Sequence, residues 1–125
     1  MAEHKILIVD DDRDIRVGLN ARLRANGYET AFAEDGVGAM MAAKKEQPDL
    51  ILLDLGIPAG DGHVVLDRLK DQASLGTIPV IVLSARDARS NEKKCLDAGA
   101  FAYFEKPVND AELLDAISRA INSHG

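Results

Sequence analysis

In this sequence, side chains able to work on an anion stand directly behind apolar runs. Asp10, Asp11 and Asp12 follow ILIV, Asp54 follows LILL, Ser84 follows VIVL, and Lys106, backed by Pro107, closes the segment FAYFEKP. Two like charges 4 Å apart repel by roughly 4 kcal/mol at an effective dielectric of 20. Carboxylates gathered behind buried segments therefore need a cation among them. Lys106 supplies one positive charge against the carboxylates of Asp10, Asp11 and Asp54, and a divalent ion would balance the rest. Oxygen ligands without His or Cys select a hard ion such as Mg²⁺, which keeps several waters and accepts a few carboxylates together with a phosphate oxygen. A phosphoryl ligand is implied. A carboxylate can itself be the nucleophile that forms an aspartyl phosphate. Such transfer depends mainly on positioning and on neutralising the equatorial oxygens, and Mg²⁺, Ser84 and Lys106 would do both.

For these residues to meet, the runs must be strands that end on one rim. Ile6 to Val9, Tyr28 to Ala33, Leu50 to Leu55, Val80 to Leu83 and Phe101 to Phe104 are each of strand length. Three of them are apolar without alternation, the pattern of strands covered on both faces of a parallel sheet. Between them lie segments with helical spacing: Ile15, Leu19 and Leu23, then Val37, Met40 and Met41, then Val65, Leu66 and Leu69. Ser90 to Ala98 shows an apolar side only at Cys95 and Leu96. The last segment carries Leu113, Ile117 and Ile121 with Leu114 beside them. Gly27 and Gly99 stand where a helix ends in a left-handed residue. Five strand–helix units predict an α/β fold, an open parallel sheet with helices on both faces. Ligands of such sheets bind beyond the carboxyl ends of the strands, where the charged residues fall.

Composition narrows the classes. A chain of 125 residues has room for one ordinary domain. Its net charge of −6, with no basic stripe, disfavours direct contact with nucleic acid. No apolar stretch approaches the roughly 20 residues of a membrane span. A single cysteine, Cys95, fits a reducing cytoplasm.

The stretches ILIVDD, DLGIPAGDG from Asp54 to Gly62, VLSA from Val82 to Ala85 and EKP from Glu105 to Pro107 resemble, in order and spacing, the receiver domains of two-component response regulators. The resemblance covers essentially the whole chain and implies a single receiver domain over residues 1–125, a flavodoxin-like (βα)5 fold with strand order 2-1-3-4-5. It implies that Asp54 is the phosphoacceptor. Asp10 and Asp11 become the acidic pair, Asp11 binding Mg²⁺ directly and Asp10 acting mainly through water, with the Gly56 carbonyl as a further ligand. Ser84 becomes the hydroxyl that meets the phosphoryl oxygen and Lys106 the lysine that pairs with it; Ser84 and Tyr103 become the switch. The implied readout surface is the fourth helix, fifth strand and fifth helix, and the Lys106–Pro107 peptide is expected to be cis. A histidine kinase or histidine phosphotransfer protein would be the donor, and a downstream effector protein or domain the receiver of the signal. The domain would be a switch that assists its own phosphorylation and dephosphorylation, not an enzyme with a separate substrate.

Plainer readings apply to other residues. Asp12 and Asp14 suit the start of a helix, as does Asp61. Cys95, Met40 and Met41 read as core, and His4, His63 and His124 lack ligand spacing. Gly56 is smaller than the residue usual at its place in the family and Arg86 is bulky, two differences that bear on how readily water reaches the acyl phosphate. Two other functions compete. Asp10 and Asp12 satisfy the D-x-D of aspartate-nucleophile phosphatases, but Asp14 stands where that pattern needs Thr or Val. A receiver fold that binds partners without phosphorylation would have no need of the full acidic pair, acceptor, hydroxyl and lysine.

Overall fold

The computed structural model describes residues 4–57, 62–85 and 88–124; Asp61 and Arg86 lie outside them, as does the side chain of His124. Five strands, β1 (Lys5–Val9), β2 (Glu29–Ala33), β3 (Leu50–Asp54), β4 (Val80–Ser84) and β5 (Ala102–Glu105), form one parallel sheet in the order β2-β1-β3-β4-β5. The helices α1 (Arg13–Ala25), α2 (Gly36–Glu46), α3 (Gly62–Asp71), α4 (Ala88–Asp97) and α5 (Asp110–His124) alternate with them.

Side chains alternate across a strand, and here that alternation divides the core in two. Ile6, Ile8, Leu50, Leu52, Ile81 and Leu83 pack beneath α1 and α5, against Leu19, Leu23, Leu113, Ile117 and Ile121. Leu7, Val9, Ile51, Leu53, Val80 and Val82 pack on the other face beneath α2, α3 and α4, against Ala39, Ala43, Val65, Leu66, Leu69 and Cys95. β3 and β4 are buried at every position, which explains their unbroken apolar runs. The two edge strands are more open: β2 keeps only Ala33 buried, and β5 has no fully buried position.

Local chemistry sets the helix ends. Asp12 caps α1, its carboxylate accepting from the backbone N–H groups of Asp14 and Ile15 at 2.9 and 3.2 Å. Asp35 caps α2 through the Gly38 N–H. Gly27 and Gly99 take φ of +88° and +105°, which a side chain would strain.

Two expectations fail. In α2 the buried side consists of Gly36, Ala39 and Ala43, while Val37 and Met41 are 61% and 68% exposed; Met40 alone of that set packs against the core. The fully buried positions of α2 lie close to the sheet and hold only small residues, so Val37 and Met41 face outward. In α4 Cys95 is fully buried as expected, but Leu96 is turned out.

Candidate functional site

The carboxyl ends of β1, β3, β4 and β5 place Asp10, Asp11, Asp54, Ser84 and Lys106 on one rim. β1 and β3 are adjacent, with Val9 opposite Leu53, so Asp10 and Asp54 emerge side by side. Asp10, Asp11 and Asp54 each have a carboxylate oxygen within 4.8 Å of the others. Asp10 and Asp54 are buried and Asp11 is exposed. Lys106 comes in from the end of β5 to set Nζ 3.0 Å from Asp10 Oδ2 and 3.4 Å from Asp54 Oδ1. Its backbone N–H donates to the Ser84 carbonyl at 2.8 Å, tying the ends of β4 and β5 together. The Lys106–Pro107 peptide is cis.

The charges are unevenly balanced. Burial pushes the Asp10 carboxyl above the ordinary range and the Asp54 charge adds to that, although the Asp12 N–H and Lys106 oppose it. Burial works against the Lys106 charge, but bonds and attraction to Asp10 and Asp54 outweigh it and raise its pKa. Lys106 pairs with two of the three carboxylates, Asp10 and Asp54, so the cluster holds more negative than positive charge. An all-oxygen cluster with that deficit is the donor set a hard divalent ion takes.

Gly56 donates its N–H to Asp54 Oδ1 at 3.1 Å, and a methyl at position 56 would sit 3.7 Å from both Asp54 oxygens. The glycine thus leaves one side of the Asp54 carboxylate uncovered. Ser84 is buried at the end of β4. Tyr103, opposite Val82 in the β4–β5 register, packs against the α2–α3–α4 core; its hydroxyl is buried with no hydrogen-bond partner among the described residues. Asp12, the second acid of the D-x-D pattern, is used as the α1 cap. A largely apolar hollow of about 440 Å³ adjoins Lys106, lined by Ile15, Leu19, Leu83, Pro107 and Val108 together with the charged Asp14 and Arg22.

A family model for the response regulator receiver domain matches residues 6–118. The chain belongs to that family. The transcriptional regulatory protein PrrA of Mycobacterium tuberculosis is 38% identical over 121 residues, covering 97% of this chain and 51% of PrrA. The KDP operon regulator KdpE of Escherichia coli is 39% identical over 119 residues, 95% of this chain and 52% of KdpE. The receiver domain thus spans about half the length of these relatives. Among solved structures, the receiver domain of the Francisella response regulator 1452 superposes with a TM-score of 0.91 at 30% identity, covering 98% of this chain and all of that one. The receiver domain of the Pseudomonas aeruginosa sensor histidine kinase PA1611 has a TM-score of 0.88 at 31% identity, covering 97% and 99%; it holds a magnesium ion in its active-site cleft. The strand order is the one the resemblance implied.

Arg16 escaped the sequence reading. Its guanidinium reaches back from α1 to donate to the Asp10 carbonyl at 2.7 Å and to Glu34 at 3.2 Å. The only sign in the sequence was a cation on the apolar side of α1, one residue from Ile15.

Proposed function

We propose that this chain is a single receiver domain, residues 1–125, that accepts a phosphoryl group on Asp54 from a phosphohistidine of a histidine kinase or phosphotransfer protein. The observation that carries this reading is the meeting of Asp54 with Lys106 at 3.4 Å inside the Asp10–Asp11–Asp54 cluster. An Asp54 carboxylate oxygen attacks phosphorus, the new O–P bond forms as the donor's N–P bond breaks, and the imidazole nitrogen keeps the electron pair. Lys106 neutralises charge on the transferred group, and the Ser84 hydroxyl donates to one of its oxygens. Asp11, Asp54 and the Gly56 carbonyl would hold Mg²⁺, with Asp10 acting mainly through water; when bound, the ion supplies the remaining positive charge on the equatorial oxygens. The donor's apolar surface would seat in the hollow beside Lys106.

Signalling needs an element with two arrangements that the phosphoryl group biases. Ser84 and Tyr103 are that element, and α4, β5 and α5 the surface it alters for an effector. A buried hydroxyl without a partner costs about 1–3 kcal/mol, which favours an alternative placement of the Tyr103 ring. The chain carries no basic stripe for nucleic acid, and no helix among the described residues is long and apolar enough to cross a membrane. We place the domain in the cytoplasm.

Beryllofluoride, a stand-in for the phosphoryl group, tests the site. Amide spectra of the domain should shift at Ser84 and Tyr103 when beryllofluoride and Mg²⁺ are both added and stay unchanged with beryllofluoride plus chelator. Equal shifts in chelator would contradict the metal reading.

A further inference from the structure

The side chain of Asp11 is exposed and has no hydrogen bond or ion pair among the described residues. Nothing holds its carboxylate toward Asp10 and Asp54 except the backbone on either side of it. That backbone is pinned at both ends. On one side the Asp12 N–H donates to Asp10 Oδ1 at 2.9 Å. On the other, the Asp10 carbonyl, which belongs to the peptide joining Asp10 to Asp11, accepts from Arg16 at 2.7 Å. Arg16 is itself held by Glu34 at 3.2 Å and is only 14% exposed, and the Asp10 N–H donates to Ala33 O at 3.1 Å.

We propose that Arg16 is a positioning residue for the metal site: through the Asp10 carbonyl it fixes the peptide that aims Asp11 at the cluster, and through Glu34 it couples that aim to the loop after β2. The inference rests on the reading of Asp11 as a Mg²⁺ ligand. A planar guanidinium suits the task because it bonds two acceptors in one fixed geometry, which a lysine ammonium does not.

The sign of the effect separates positioning from charge. Arg16 is a cation beside a site meant for a divalent cation, so loss of its charge alone would tighten Mg²⁺ binding. Loss of an outer group that orients a metal ligand weakens binding, commonly by 10–100-fold. Arg16→Met is therefore expected to bind Mg²⁺ roughly tenfold more weakly despite the lost positive charge. Arg16→Lys, which retains the charge and one bond to the carbonyl, should fall between Arg16→Met and the unaltered chain.

Mg²⁺ titration followed by calorimetry and by the amide shifts of Asp11 and Gly56, at matched ionic strength, reads these affinities directly. Arg16→Met binding as tightly as the unaltered domain, or more tightly, would overturn the proposal even if the variant were less stable, because a merely structural arginine would change stability alone. Should Arg16→Met not fold, Arg16→Lys decides it, since it keeps the positive charge: weaker Mg²⁺ binding than the unaltered domain supports positioning, and equal or tighter binding overturns it. An unaltered domain that does not bind Mg²⁺, or binds it equally well as Asp11→Asn, would defeat the underlying metal reading instead.

Discussion

Asp10 is the residue at which the site and the stability of the fold pull apart. Its carboxyl pKa is raised, chiefly by burial. For an acid with a raised folded-state pKa, the favourable contribution is complete below the unfolded value, about 3.9 for aspartate, and is lost as pH rises through the folded one. Above the folded-state value the metal-free domain thus carries the Asp10 charge at a cost. Asp10→Asn should stabilise the metal-free domain against urea unfolding at pH 7 by on the order of 1 kcal/mol, with the gain shrinking toward pH 4. A lower stability at pH 7 would mean that the 3.0 Å pair with Lys106 outweighs burial. The charged residues themselves were legible in the sequence, because an acid or lysine directly after a buried strand has few explanations. The sequence also put Lys106 among these carboxylates, although its reach to Asp10 spans 96 positions; the bond from Arg16 to a backbone carbonyl leaves no pattern in side-chain types.

At the scale of elements, strands were read more reliably than helices because β1, β3 and β4 are covered on both faces and show it in unbroken apolar runs. α2 defeated the same logic. Its contact with the sheet is made by Ala39 and Ala43, so hydrophobic size pointed to the wrong face. Close seating matters most at α3, whose first residue is Gly62. A methyl there would lie 2.5 Å from Leu55 Cα and 2.9 Å from Asp54 O, both backbone atoms that cannot yield without moving the end of β3. Gly62→Ala is expected to destabilise the domain by roughly 1–3 kcal/mol, the usual cost of overpacking, and to slow phosphorylation of Asp54. Unchanged urea unfolding would show that α3 can slide outward at no cost.

For the whole molecule, a parallel sheet gathers the ends of four strands on one rim, so Asp10 and Asp11 meet Asp54, Ser84 and Lys106 across long stretches of sequence. Strand order 2-1-3-4-5 puts β1 beside β3 and β3 beside β4, and that adjacency puts Asp10 and Asp11 next to Asp54. The sequence implied this order only by its resemblance to a family, since hydrophobic periodicity says which segments are strands and not which are neighbours.

The central claim is that Asp54 takes a phosphoryl group only with Mg²⁺ in the cluster. Intact-mass spectrometry after incubation with acetyl phosphate and Mg²⁺, beside Asp54→Asn and a chelated control, tests it most directly. A gain of one phosphoryl group, about 80 Da, set by phosphoryl-transfer stoichiometry, is expected only in the unaltered chain with Mg²⁺. A gain that survives in Asp54→Asn or in chelator would contradict it, as would no gain in a chain that also fails to bind beryllofluoride.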